Sequence, residues 1–192
     1  MNIRLAVPED AAALLAIYAQ SIDTPVTFEY TLPSEAEFRN RILETRRNYP
    51  YLAAEEDGKV VGYAYAHALR ERLAYQWTAE LSVYLDASAQ GRGLGKELYC
   101  RLLELLRLQG IQAVYGCVTA PNPASEALHR SLGFRLSGTF HRCGYKNGQW
   151  WDVLWFEKEI GDYPLEVSPP APFSRLEESR VRAVLEKTPC ID

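Results

Sequence analysis

Three glycines at alternate positions in Gln90-Gly91-Arg92-Gly93-Leu94-Gly95-Lys96 carry the most distinctive chemistry in the chain. Having no Cβ, they leave backbone N–H groups uncovered, and they sit where an apolar strand-like run ends and a helical pattern begins. The unpaired N–H groups of that first helical turn, with the positive end of the helix dipole, make an anion site whose usual occupant is phosphate. Two nucleotide patterns fail. A Walker A loop needs Gly at 90 and Ser or Thr at 97, where the chain has Gln90 and Glu97. A dinucleotide fingerprint starting at Gly91 needs Gly at 96, which is Lys96. A glycine-rich turn without any ligand is the alternative at this level.

Metal chemistry has little to draw on. Cys100, Cys117, Cys143 and Cys190 lie 17, 26 and 47 positions apart, which fits neither a metal knuckle nor a dense disulfide frame. They are expected to be reduced, partly buried thiols of a cytoplasmic protein. His67, His129 and His141 never fall at the i, i+4 spacing by which two imidazoles share an ion on a helix, so a metal-free mechanism is expected. The 21 basic and 25 acidic residues are spread along the chain, which argues against nucleic acid as a partner. No run approaches the ~20 apolar residues of a membrane-spanning helix, and the opening Met-Asn-Ile-Arg-Leu-Ala-Val has no export-signal pattern.

The elements that must position the glycine turn follow from periodicity. Residues 3–7 alternate as a strand ending at Pro8, and Pro8-Glu9-Asp10 opens an Ala/Leu-rich helix to about Gln20. Pro33-Ser34 precedes a second helix, 35–48. Residues 51–55 and 60–66 form a hairpin around Asp57-Gly58. A strand over 78–86 leads into the glycine turn, and Leu94, Leu98, Leu102, Leu105 and Leu106 mark one face of a helix that Gly110 ends. A fifth strand covers 113–118, and Asn122-Pro123 caps a short helix closed by Gly133. Aromatic-rich strands over 134–144 and 149–159 finish a mixed α/β (α+β) domain of residues 1–160. All twelve glycines lie at or before Gly161, and five of the eleven prolines lie after it. Residues 161–192 therefore read as a Pro-containing appended arm with a short helix over 174–186.

The segment Gln90, Gly93, Gly95 resembles the Q/R-x-x-G-x-G/A pattern of the GCN5-related N-acetyltransferases. Val26-Thr27-Phe28-Glu29, Ala74-Tyr75-Gln76-Trp77-Thr78-Ala79-Glu80, Val83-Tyr84, Leu128-His129-Arg130-Ser131-Leu132-Gly133-Phe134 and Gly144-Tyr145-Lys146-Asn147-Gly148-Gln149-Trp150-Trp151-Asp152-Val153 resemble its phosphinothricin / methionine sulfone branch, in order, over residues 2–159. The resemblance implies a central mixed, twisted sheet of about seven strands flanked by about four helices. It implies transfer of an acetyl group from acetyl-CoA, as cosubstrate, to the α-amine of a small amino acid or analogue, commonly in a homodimer.

The same resemblance implies the site. Residues 90–96 (Gln90, Gly91, Arg92, Gly93, Leu94, Gly95, Lys96) would wrap the coenzyme's pyrophosphate. A main-chain N–H of Val83, Tyr84 or Leu85 would polarise the thioester oxygen, and Asn122, besides capping its helix, would contact the pantetheine arm. Glu80, on the strand face of Ser82 and Tyr84 and opposite Leu81, Val83 and Leu85, is the expected general base, since an ammonium of reference pKa about 8 must lose a proton before attack. A structural carboxylate, bonded for example to Arg72, is its alternative. Where many relatives carry a Tyr, this chain reads Ala127-Leu128-His129, so His129 is the candidate acid, or else a structural imidazole. Phe28, Glu29, Arg72 and Tyr75 are the expected acceptor contacts, Arg72 for a carboxylate with Arg70 as its competitor. Other amine acceptors (an aminoglycoside, a polyamine, a protein N-terminus) and a non-catalytic acetyl-CoA-binding module are the competing functions.

Overall fold

The computed structural model describes residues 2–186. Strand β1 (Asn2–Leu5) leads through a single 3-10 turn into α1 (Ala11–Ala19), followed by α2 (Glu35–Asn48), β2 (Tyr51–Glu56), β3 (Lys59–Ala68), β4 (Thr78–Leu85), α3 (Leu94–Gln109), β5 (Ala113–Ala120), α4 (Pro123–Ser131), β6 (Arg135–Lys146), β7 (Gln149–Glu159) and α5 (Glu178–Leu185). The seven strands form one mixed sheet in the order β1-β2-β3-β4-β5-β7-β6, and β4–β5 is its parallel pair. The described part thus has five helices where about four were expected, the fifth supplied by the arm. Among the described residues no helix is long and apolar enough to cross a membrane.

Local chemistry explains the boundaries. Ser34 caps α2 by accepting from Glu37 N–H, while Glu37 Oε2 accepts from Ser34 N–H at 2.7 Å, a reciprocal capping box. Asp10 does not cap α1; it turns back to accept from both guanidinium nitrogens of Arg4 (2.7 and 2.8 Å) and from Val7 N–H. The β4 alternation separates the two cores. Leu81, Val83 and Leu85 join α3, whereas Tyr84 packs with α1, α2 and the tyrosines of β2 and β3 on the opposite face.

The arm is not peripheral. Phe173, Val181 and Val184 are buried in the same core cluster as α3. Gln109, the last residue of α3, donates Nε2–H to Asn48 O (2.7 Å) and Ala171 O (2.8 Å) and accepts Ala171 N–H on its own carbonyl. Trp77 Nε1–H reaches Ser168 O, and Ser174 Oγ–H reaches Arg47 O. The helix of the arm spans Glu178–Leu185 after a 3-10 turn at Phe173–Arg175, shorter than 174–186.

The cysteine expectation needs correction. Cys100 on α3 is disulfide-bonded, and Cys117 and Cys143 are free but exposed instead of partly buried. Cys190 lies outside the described residues. Sequence spacing carries no information about which cysteines fold together, and the thiol-based argument for a reducing compartment falls with the disulfide.

Candidate active site

The site begins with a pairing that stops early. β4 and β5 run in register from Thr78↔Ala113 to Leu81↔Gly116, yet β4 continues to Leu85 and β5 to Ala120. β5 beyond Gly116 stays paired to β7, and β4 beyond Leu81 stays paired to β3. The two strands therefore part, and a groove of about 660 Å³ opens between Leu81–Leu85 on one side and Cys117–Thr119 on the other.

The glycine turn closes one end of this groove. Gly91 (φ +71°) and Gly93 (φ +82°) take left-handed conformations that side chains with a Cβ disfavour. Glu97 N–H is the first helical donor to return to Gly93 O (3.1 Å), so the N–H groups of Leu94 and Gly95 are those of an open first turn. Gly91, Gly93, Leu94, Gly95, Lys96 and Gln90 line the groove with Val83, Tyr84 and Leu85. Arg92 does not. Its guanidinium pairs with both oxygens of Glu56 at 2.6 and 2.9 Å, on the β2–β3 side.

Across the groove, Asn122 accepts Ser125 N–H at 3.1 Å, so its carbonyl oxygen caps α4 while the residue lines the wall. His129 is 2% exposed and held in an aromatic cage, stacked on Phe156 and edge-on to Tyr99 and Phe134. Its Nδ1 lies 2.8 Å from Ser125 O, a carbonyl that can only accept, so Nδ1 carries the hydrogen and Nε2 is a lone-pair acceptor. Nε2 is buried without a hydrogen-bond partner among the described residues, and His129 lines the groove. Burial pushes the imidazole pKa down, outweighing the Ser125 hydrogen bond. Gly116 makes room for the ring: a Cβ there would lie 2.1 Å from Nε2. An orphaned acceptor in one wall and free N–H groups in another fit a ligand carrying both amide donors and phosphates.

Glu80 stands just before the strands part, at the register pair His67↔Glu80. Burial raises its pKa, opposed by the charges of His67 and Arg70. His67 Nε2 is 3.9 Å from Glu80 Oε1, and His67 also lines a second cavity of about 250 Å³. That cavity lies between α1, α2 and the sheet, walled by Tyr18, Phe38, Tyr51, Tyr63 and Tyr65, with the Glu29–Arg41 ion pair (2.7 Å) at its edge. The hydroxyl of Tyr63, 1% exposed, has no hydrogen-bond partner among the described residues. Glu80 lines neither cavity, but its strand neighbour Leu81 lines the groove and His67 beside it lines the smaller one.

Of the expected acceptor contacts, Glu29 lines the smaller cavity, and Phe28 packs its ring over Gly144. Arg72 and Tyr75 lie on an exposed turn and line neither cavity. Arg70 is nearer the chemistry, acting on Glu80 and lying over the Trp155 ring at 6.0 Å. Ser82, Cys117, Thr119, Arg41 and His67 were not singled out from the sequence. The first three could have been found only by knowing where the β4–β5 pairing ends. Although Cys117 is exposed, it is no ready nucleophile: loss of water around its sulfur, and then Glu80 and Cys143, push its thiol pKa up to about 12. Among the described residues no group of three or more His, Cys, Asp or Glu could hold a metal.

A sheet split at a parallel pair, with a glycine turn at one end of the split and a carboxylate at its mouth, defines the class of coenzyme A-dependent acyltransferases. The chain belongs to the acetyltransferase (GNAT) domain family, which matches residues 3–155. It is 34% identical over 177 residues to a phosphinothricin N-acetyltransferase of Streptomyces viridochromogenes, covering 92% of this chain and 96% of the relative. It is 32% identical over 165 residues to an L-methionine sulfoximine/L-methionine sulfone acetyltransferase of Salmonella typhimurium, covering 85% and 96%. The crystal structure of a phosphinothricin acetyltransferase from Sinorhizobium meliloti in complex with acetyl-CoA superposes with a TM-score of 0.84 at 35% identity, covering 90% of this chain and 96% of that one.

Proposed function

We propose that the protein moves the acetyl group of acetyl-CoA to the α-amine of a small amino acid or analogue of the phosphinothricin, methionine sulfone or methionine sulfoximine type. The observation that carries this reading is Glu80, a carboxylate on β4 just before β4 and β5 part, 3.9 Å from His67 of the smaller cavity. The relatives' names supply the substrate class.

Acetyl-CoA supplies a thioester carbonyl open to attack and a thiolate, of reference thiol pKa about 8.5, that can leave. The chain does the rest. Glu80 takes a proton from the acceptor ammonium, directly or through one water, freeing the nitrogen lone pair to bond to the carbonyl carbon. A main-chain N–H of the Val83–Leu85 stretch that faces the β4 edge β5 abandons stabilises the charge that develops on the carbonyl oxygen. The first turn of α3 holds phosphate. His129, neutral and protonated on Nδ1, has no proton to give at Nε2. In this reading it accepts a ligand N–H and positions the ligand instead of acting as the acid. The Glu29–Arg41 edge, with His67 nearby, suits a zwitterionic amino acid better than a polyamine or aminoglycoside, whose several cations would want an acidic lining.

The test is thiol release from acetyl-CoA with methionine sulfone, methionine sulfoximine, phosphinothricin, ordinary amino acids, polyamines, an aminoglycoside and a peptide N-terminus. Activity centred on the first three is expected. Activity confined to the last three overturns the acceptor class, and tight acetyl-CoA binding with no turnover on any amine overturns the enzyme reading. A homodimer completes the proposal; β6 is one of the sheet's two outer strands and carries exposed Leu136, Phe140 and Tyr145. A monomeric mass in light scattering at assay concentration overturns the dimer.

A further inference from the structure

We propose that Lys146 is a positioning residue of the acceptor site, its ammonium pinning the 22–29 segment between α1 and α2 to the end of β6 so that Phe28 and Glu29 are presented to the acceptor. The proposal rests on the acceptor reading given above.

Lys146 is 2% exposed, which is rare for a lysine without a close carboxylate. All three of its ammonium hydrogens are used, donated to the carbonyls of Ile22 (2.6 Å), Thr27 (2.7 Å) and Glu29 (2.8 Å). Burial lowers its pKa, opposed by the carboxylates of Asp23 and Glu29. The residues from Ile22 to Ser34 contain no helix or strand, so these carbonyls have no regular ladder to pair with. One point donor with three hydrogens gathers three of them from a stretch of eight residues. Arginine's planar fork could not converge on the same point, and an apolar side chain would leave the carbonyls unpaired.

The neighbours of Lys146 hold the same segment. Gly144 lies flat under the Phe28 ring, where a Cβ would come within 2.1 Å of Phe28 Cζ. Tyr145 O accepts the hydroxyl of Tyr30, and Asn147 Nδ2–H donates to Asp23 O at 2.8 Å. Four successive residues of β6 and its turn therefore grip residues 22–30 from one side. The gripped segment reaches both compartments: Val26 lines the groove and Glu29 the smaller cavity. Lys146 itself lines neither cavity, so its influence on the reaction must pass through the segment it holds.

The test compares wild type with Lys146→Met and, independently, Gly144→Ala, which keeps the ammonium but displaces Phe28. Three readouts are taken: kcat and KM for the best amino-acid acceptor, the acetyl-CoA dissociation constant by calorimetry, and amide exchange over residues 22–30. Lys146→Met is expected to lower kcat/KM for the acceptor at least about tenfold, mostly through KM, while acetyl-CoA affinity stays within about twofold. Exchange should quicken over 22–30 and not in the strands. Unchanged exchange there, unchanged acceptor kcat/KM, or a parallel loss of acetyl-CoA affinity with faster exchange across the whole sheet overturns the proposal. If Lys146→Met does not fold, Gly144→Ala carries the same expectations and refutations. If wild type acetylates no amine of the panel, the acceptor reading fails, and exchange over 22–30 then decides the grip by itself.

Discussion

Replacing Phe173 by Ala is expected to cost about 3 to 5 kcal/mol, although the residue lies in a stretch whose composition reads as an appendage. Its ring is 5% exposed within the core cluster that includes α3, and it is flanked by the Ala171–Gln109 and Ser174–Arg47 hydrogen bonds, so the cavity it leaves cannot collapse freely. Against a total stability of about 5 to 15 kcal/mol the loss is large. At roughly 2 to 4 °C per kcal/mol for a chain of this size, the melting temperature should fall by about 6 to 20 °C. Urea unfolding with the disulfide kept oxidised checks it: the midpoint should drop with the slope unchanged. Gln109 ends α3 and the glycine turn begins it, roughly 24 Å apart by helical rise. Acetyl-CoA affinity of the folded variant should accordingly stay near wild type at 25 °C. A loss under about 1 kcal/mol would refute the reasoning and return residues 161–186 to the status of a detachable arm.

Glu80→Gln should retain acetyl-CoA binding and lower kcat by about 10² to 10⁴; a full kcat across pH 6 to 9 removes Glu80 from the mechanism. In wild type, kcat/KM should fall as pH drops through the raised Glu80 pKa, because the protonated acid cannot accept a proton. Since positive charge on His67 opposes that rise, His67→Gln should move the acid limb to higher pH, and an unmoved limb uncouples the pair. Asn122→Ser keeps an α4 cap while removing the amide. A raised acetyl-CoA KM with unchanged melting temperature supports a ligand contact, and an unchanged KM leaves Asn122 as a cap alone. For Asp10, burial raises the pKa but the Arg4 and Val7 hydrogen bonds more than offset it, for a net lowering. Its stabilising effect is therefore present above the ordinary carboxylate pKa and disappears as pH falls through the lowered one. Asp10→Asn should cost about 1.5 to 3 kcal/mol at pH 7 and much less in strong acid, and a cost independent of pH sinks the linkage.

What could be read from the sequence was what short stretches decide for themselves. The glycine turn, the Asn122-Pro123 cap and the Asp57-Gly58 hairpin depend on backbone conformations that neighbouring residues dictate, and each stands where it was expected. The opening between β4 and β5 was out of reach, because the point at which two strands 35 positions apart cease to pair is a property of the register, not of either strand. The arm misled for a related reason: its prolines were visible, but Phe173, Val181 and Val184 become core only against an α3 that lies far back in the chain.

Arg92 shows most clearly how tertiary partners revise a local reading. Within residues 90–96 it looks like a phosphate ligand, yet Glu56, 36 positions away, holds its guanidinium with two charge-assisted hydrogen bonds outside the groove. The consequence reaches the function. With a net charge of −4 there is no overall field to draw in a polyanion, and with Arg92 paired, a pyrophosphate bound as proposed would draw on the open N–H groups of Leu94 and Gly95 and the α3 dipole. Those donors exist only while Gly91 and Gly93 keep their left-handed geometry. The proposed coenzyme site accordingly depends on main-chain shape at the glycine turn.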